Sequence, residues 1–125
     1  MSSISRQQLE AWLSEIEVGG KVLDVGGSQN PIENRVIRKY TPEFKILDLE
    51  QPHEIKQDPD IIMDIQEGDL YGSLSYREYL HKFDIAFCIE VSEYWYKPYN
   101  ALRNLGYFLK SGSILYISFH TLYGL

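Results

Sequence analysis

Apolar positions along this chain alternate between a helical and an extended period. Leu9, Trp12, Leu13 and Ile16 recur at helical spacing. Ser5, with Gln8 three residues on, can form a capping box ahead of them, and Gly19 and Gly20 are the expected stop. Lys21 to Val25 reads as a short strand with Val22, Leu23 and Val25 apolar. Gly26 to Pro31 reads as a turn and Ile32 to Arg38 as a short helix. Phe44 to Asp48 reads as a second strand, and Ile61 to Met63, ending at Asp64, as a third. The connection Leu49 to Asp60 carries Pro52 and Pro59 and is expected to be irregular. Ser73 to Lys82 reads as a helix with Leu74, Tyr76 and Leu80 available for packing. Phe83 to Ile89 is apolar except for Asp84, as in a strand covered on both faces. Pro98 opens a last helix, with Ala101, Leu102, Leu105, Phe108 and Leu109 as its buried stripe. Gly112 is expected to end it before a fifth strand, Ser113 to Phe119.

Strands alternating with helices imply an α/β fold with a parallel sheet and right-handed crossovers. In such sheets ligands bind beyond the carboxyl ends of the strands, so the residues just after each strand are the informative ones. The length of 125 residues suits one domain, residues 1–125.

Composition narrows the classes. The net charge of −6 disfavours nucleic acid as a main partner, because phosphate backbones attract basic surfaces. The one local basic cluster, Arg35 to Lys39, reads as a solvated face. A single cysteine, Cys88, excludes an internal disulfide and sits in an apolar run as an inert buried thiol. His53, His81 and His120 are scattered and show no metal-ligand spacing. Met1 to Gln8 is polar, and no apolar run approaches membrane-spanning length. A cytoplasmic protein without a membrane partner is the expectation.

The first strand runs into Val-Leu-Asp-Val-Gly-Gly-Ser-Gln-Asn-Pro. Glycine at 26 and 27 lets a ligand approach the backbone closely, but the pattern is neither the dinucleotide fingerprint nor a P-loop. Asp24, inside an apolar strand, needs a partner, either a ligand or nearby loop amides. Asp48, ending the second strand, can accept from a ribose diol or stay solvated. Asp64, ending the third, can accept from the exocyclic amine of an adenine. Three strands that each end near an aspartate carry more weight together than any one alone.

These segments resemble the motifs of class I S-adenosylmethionine-dependent methyltransferases. Residues 22–31 look like the first motif, Asp48 matches the ribose-binding acid and Asp64 the position beside the adenine. Residues 83–94 are similar to the fourth-strand motif. Ala101 to Gly112, ending Leu-Lys-Ser-Gly-Ser, resembles the helix and turn before the fifth strand. Tyr94 stands where many relatives have histidine, and Ser111 and Ser113 replace the usual turn residues. The resemblance implies a Rossmann-like, doubly wound sheet of order 3-2-1-4-5 that lacks the family's C-terminal β6/β7 hairpin, the chain stopping after the fifth strand. It implies S-adenosylmethionine as cofactor, held by Asp24, Val25, Gly26, Gly27, Ser28, Asp48, Leu49, Asp64, Ile65 and Glu90. Glu93, Tyr94 and His120 fall on the side of the methyl acceptor, whose identity stays open. No catalytic residue and no metal ligand is implied.

Tyr94, Trp95 and Tyr96 form an aromatic cluster near the expected mouth, suited to walling a substrate pocket, to packing or to a subunit contact. A bare fifth strand would be an apolar edge that invites pairing with another chain. A homodimer or larger assembly burying Tyr116 and Phe119 is therefore expected. The competing functional reading is a methyltransferase-like module that binds without turnover.

Overall fold

The computed structural model describes residues 4–50, 56–72 and 74–119. In chain order its elements are helix α1 (Ile4–Leu13), strands β1 (Glu17–Val18), β2 (Lys21–Val25), β3 (Ile37–Arg38), β4 (Glu43–Asp48), β5 (Ile61–Ile62) and β6 (Phe83–Cys88), helix α2 (Pro98–Phe108) and strand β7 (Leu109–Ile117). Short 3-10 turns stand at Ile32–Asn34, Leu70–Gly72, Leu74–Tyr79 and Ser92–Tyr94.

Five strands form one sheet in the order β5-β4-β2-β6-β7, every neighbouring pair parallel. The expected numbering, 3-2-1-4-5, counted five strands. The described residues hold seven, because Glu17–Val18 and Ile37–Arg38 pair with each other outside the main sheet. β2 and β6 are central and lie side by side, Val22 against Ile85 and Asp24 against Phe87. Their apolar sequences suit that position, since a parallel sheet is covered on both faces.

Side chains alternate between the two faces of each strand, and two cores follow. On one face Leu23, Val25, Leu47, Phe83, Ala86 and Cys88 pack with Ala101, Leu105 and Phe108 of α2. On the other, Val22, Ile85 and Phe87 pack with Leu13 of α1 and with Ile16, Val18 and Ile32. Phe83 and Phe108 are fully buried and meet edge to face, with ring centroids 6.0 Å apart. Truncating either to alanine is a cavity-forming change that costs about 3–5 kcal/mol. Asp24 shares the α1 face with Val22, two residues away, so a carboxylate enters the smaller core.

Several expected elements differ. Ser5 lies inside α1, which starts at Ile4, rather than ahead of it. α1 ends at Leu13, before Gly19 and Gly20, because β1 intervenes. Residues 32–38 are no helix: a 3-10 turn ends at Asn34, and Ile37–Arg38 leaves to pair with β1. The expected helix over Ser73–Lys82 is a 3-10 turn over Leu74–Tyr79 that buries no side chain completely; Ser73 lies outside the described residues. β6 ends at Cys88, one residue early. α2 ends at Phe108 and passes directly into β7, so Leu109 is strand and Gly112 lies within β7. A break in register lets Asp84 face that excursion: Phe83 pairs Leu109 and Ile85 pairs Ile114. The Lys110 ammonium closes it on Asp84 Oδ1 at 3.1 Å. Leu102 is exposed, and Asn104 is buried in α2 instead. β7 stops at Ile117, leaving Phe119 outside it. No helix among the described residues is long and apolar enough to cross a membrane.

Candidate ligand-binding cleft

Two adjoining cavities open beyond the carboxyl ends of the central strands. The first, about 330 Å³, is walled by Val25, Leu47, Met63, Ile65, Val91 and Trp95, with the carboxylates of Asp48, Asp64 and Glu90 and the amides Gln29 and Gln66 among them. The second, about 370 Å³, is polar and lined by Arg6, Asp24, Gly27, Asn30, Arg35, Lys56 and Glu90. Gly26, Gln29, Glu90, Val91 and Tyr94 line both.

The turn after β2 brings the two together. The Gly26 amide donates to the Leu47 carbonyl at 2.7 Å, extending the β2–β4 ladder by one bond. Gly26 has φ +75°, and a Cβ there would meet Val91 Cγ2 at 2.5 Å. Both the left-handed backbone and the close approach require glycine. At Gly27 the constraint is steric, because a Cβ would overlap the Asp24 carboxyl.

Asp24 is 5% exposed and accepts the Ile32 amide on Oδ2 at 2.8 Å. Burial pushes its carboxyl from the ordinary 3.8 up to about 7; the Ile32 hydrogen bond and Arg35 oppose this, while Asp48 and Glu33 add to it. A loop amide is therefore one partner of Asp24, and the carboxyl also faces the polar cavity. Arg35 is held by Glu10 of α1, with Nη2 to Oε1 at 2.6 Å and Nε to Oε1 at 3.1 Å. Arg6, also on α1, donates from Nη2 to Glu90 Oε2 at 2.8 Å. These two charge-assisted contacts fasten α1 across the polar cavity.

Asp48 ends β4 with Oδ2 accepting the Ser28 amide at 3.2 Å and Oδ1 the Leu49 amide at 2.8 Å. Each oxygen keeps a second lone pair for a ligand donor. Asp64 accepts the Gln66 amide on Oδ1 at 3.0 Å, an Asx-type turn that starts the loop after β5. Glu90 follows β6 with φ +59°, a left-handed conformation rare outside glycine. Its amide donates to Ser118 Oγ at 2.6 Å, while Ser92 Oγ donates to the Ser118 carbonyl at 2.5 Å. The chain after β7 thus braces the turn after β6. Backbone strain of this kind concentrates at functional sites.

The cleft gathers most of the residues singled out from sequence. Val25, Gly26, Asp48, Leu49, Asp64, Ile65, Glu90 and Tyr94 line the first cavity; Asp24 and Gly27 line the second. Ser28 is fully buried and lines neither; it contributes its amide to Asp48 and its carbonyl to the Lys56 and Gln57 amides. Glu93 also lines neither, and His120 lies outside the described residues. Cys88 is fully buried, and burial pushes its thiol far up, which fits an inert core role. Tyr116, expected at a subunit contact, stacks on Phe87 at 4.9 Å and meets Trp12 edge to face at 5.9 Å.

Sequence reasoning did not single out Arg6, Gln29, Gln66 or Lys56 for the site. They come from α1 and from loops, without a strand-end position to mark them. Among the described residues no group of three or more His, Cys, Asp or Glu side chains could hold a metal ion. The chemistry on offer is hydrogen bonding and electrostatic positioning: an apolar slot rimmed by acceptors, joined to a polar cavity bearing both signs of charge. No protein-family model matches the chain, and no curated protein matches it.

Proposed function

We propose that the chain binds S-adenosylmethionine across the two adjoining cavities and transfers its methyl group to an acceptor that enters past Tyr94. The observation that carries this reading is the meeting of Asp48 and Asp64, from the ends of two different parallel strands, in one apolar cavity beside the Gly26 bend. The donor set fits the group. Asp48 offers acceptors to a ribose diol, the walls Leu47, Met63 and Ile65 suit a purine face, and Asp64 suits its exocyclic amine. Arg6 and Glu90 pair a cation with an anion at 2.8 Å and would suit the carboxylate and ammonium of an amino-acid head.

Bound there, S-adenosylmethionine supplies an electrophilic methyl group on a sulfonium. The residues around it orient and desolvate. Alignment of nucleophile, methyl carbon and leaving sulfur is the main demand of such a displacement, and a rigid cleft meets it by holding the reactants in place. A general base is needed only for an acceptor that must lose a proton. Tyr94, 77% exposed at the mouth of both cavities, is placed to border the acceptor.

The test is mass spectrometry for S-adenosylhomocysteine after incubation with S-adenosylmethionine and pools of candidate small-molecule acceptors. Product formed in step with a methylated acceptor supports the reading. Tight cofactor binding with no S-adenosylhomocysteine above the acceptor-free control assigns a binding module without turnover.

We also propose that β7, one of the two edge strands of the sheet, pairs with a second copy of the chain, with Ile114 and Phe119 in the contact. They are 49% and 67% exposed.

A further inference from the structure

Gln66 is a residue of the first cavity whose chemistry the reading above does not use. It is 8% exposed and lines the cavity beside Asp64. Its Oε1 accepts the backbone amides of Tyr96 at 2.6 Å and Lys97 at 3.0 Å. A backbone N–H can only donate, so the orientation of the carboxamide is set by its partners. The loop that carries it is clamped to α2: Asn100 Nδ2 donates to the Gln66 carbonyl, and Asn104 Nδ2 donates to the Ile65 carbonyl at 2.9 Å. That leaves the Gln66 Nε2 hydrogens without a partner among the described residues. Nε2 is not itself a fully buried atom, so it meets the open space of the cavity, where an acceptor on a ligand can take its hydrogen bond. Next to it, Asp64 uses Oδ1 for the Gln66 amide and keeps Oδ2 as an acceptor.

We infer that Gln66 Nε2 and the Asp64 carboxylate together read the edge of the bound base, and that they select adenine over hypoxanthine and guanine. Adenine presents an amine donor, N6, beside a ring acceptor, N1. That pattern complements an acceptor, Asp64, beside a donor, Gln66. Hypoxanthine and guanine reverse both groups, setting O6 against a carboxylate and N1–H against an N–H. Sites built on such polar pairing reject the wrong partner strongly, because mismatched buried groups stay unsatisfied. The inference rests on the nucleoside reading above and adds to it a specificity-determining residue.

Calorimetric titration with adenosine, 1-deazaadenosine and inosine tests it. 1-Deazaadenosine keeps the amine and replaces N1 by C–H, so it removes only the Gln66 contact. The unaltered chain should bind adenosine about tenfold more tightly than 1-deazaadenosine, the size of one hydrogen bond, and inosine about a hundredfold more weakly than adenosine or worse. Gln66→Glu keeps an oxygen for the Tyr96 and Lys97 amides and removes the donor. It should weaken adenosine at least about tenfold and abolish the preference over 1-deazaadenosine, with the unfolding temperature kept. Equal binding of the two nucleosides to the unaltered chain overturns the inference and leaves the nucleoside reading standing. Failure of adenosine to bind at all removes that reading, and the inference with it. The nucleoside comparison needs no variant, so it decides even if Gln66→Glu fails to fold.

Discussion

The Asp48 carboxylate accepts the Ser28 amide at 3.2 Å, which ties the tip of β4 to the glycine turn that follows β2. One side chain therefore shapes the turn and faces the cavity. Asp48→Ala should weaken binding of an adenosine ligand by about 1–3 kcal/mol and cost about 1 kcal/mol of stability through the orphaned Ser28 and Leu49 amides. Asp48→Asn keeps an acceptor and should lose less of both. Calorimetry and urea unfolding separate the two effects; unchanged affinity in Asp48→Ala removes this residue from the site.

Gly27 packs its α-carbon against the Asp24 carboxyl. Gly27→Ala must displace a buried, hydrogen-bonded side chain, and overpacking of this sort costs about 1–3 kcal/mol. In an Asp24→Ala background the added methyl group has room, so the two changes should be clearly non-additive. Additive costs in a double-mutant unfolding cycle would show that the contact carries no strain.

Asp24 makes stability depend on pH in a direction that can be derived. Its carboxyl is raised from 3.8 to about 7 by burial. Below about pH 4 folded and unfolded chains both hold the proton, and the group is neutral to stability. As pH rises from about 4 to about 7 the unfolded chain loses the proton first, so this group's contribution falls. Above about pH 7 the penalty is constant, at most roughly 4 kcal/mol. Asp24→Asn keeps an oxygen for the Ile32 amide and cannot ionise, so its advantage over the unaltered chain should grow between about pH 4 and about pH 7 and then level off. Parallel stability profiles for the two proteins contradict this assignment.

Pairing through β7 should give a dimer mass in size-exclusion chromatography with light scattering. Ile114→Lys, a charge placed on this edge strand, should shift it to the monomer, as charges on edge strands oppose pairing. A monomer in the unaltered protein at high concentration is the opposite outcome.

Much of the sheet was legible because its central strands are nearly continuous apolar runs, as Phe83–Cys88 is. The tips were legible for a related reason: an aspartate that closes such a run, at 48 or 64, stands out. Short elements were not. Ile37–Arg38 is exposed at both residues, so no burial pattern marks it as strand, and only pairing with Glu17–Val18 makes it one. The Phe108–Leu109 boundary was hidden because both residues are apolar, and Leu109 pairs with Phe83 across the sheet. Arg6 and Gln66 were missed as site residues because their partners, Glu90 and the Tyr96–Lys97 amides, lie 84 and about 30 residues away. Local patterning carries no trace of such contacts.

Calorimetric titration of the unaltered chain with S-adenosylhomocysteine tests the central claim most directly, since the proposal has that ligand span both cavities and it needs no acceptor. The account expects saturable binding at one site per chain, with affinity reduced in Asp48→Ala. No binding heat, with a folded protein and at ligand concentrations in the millimolar range, would contradict it.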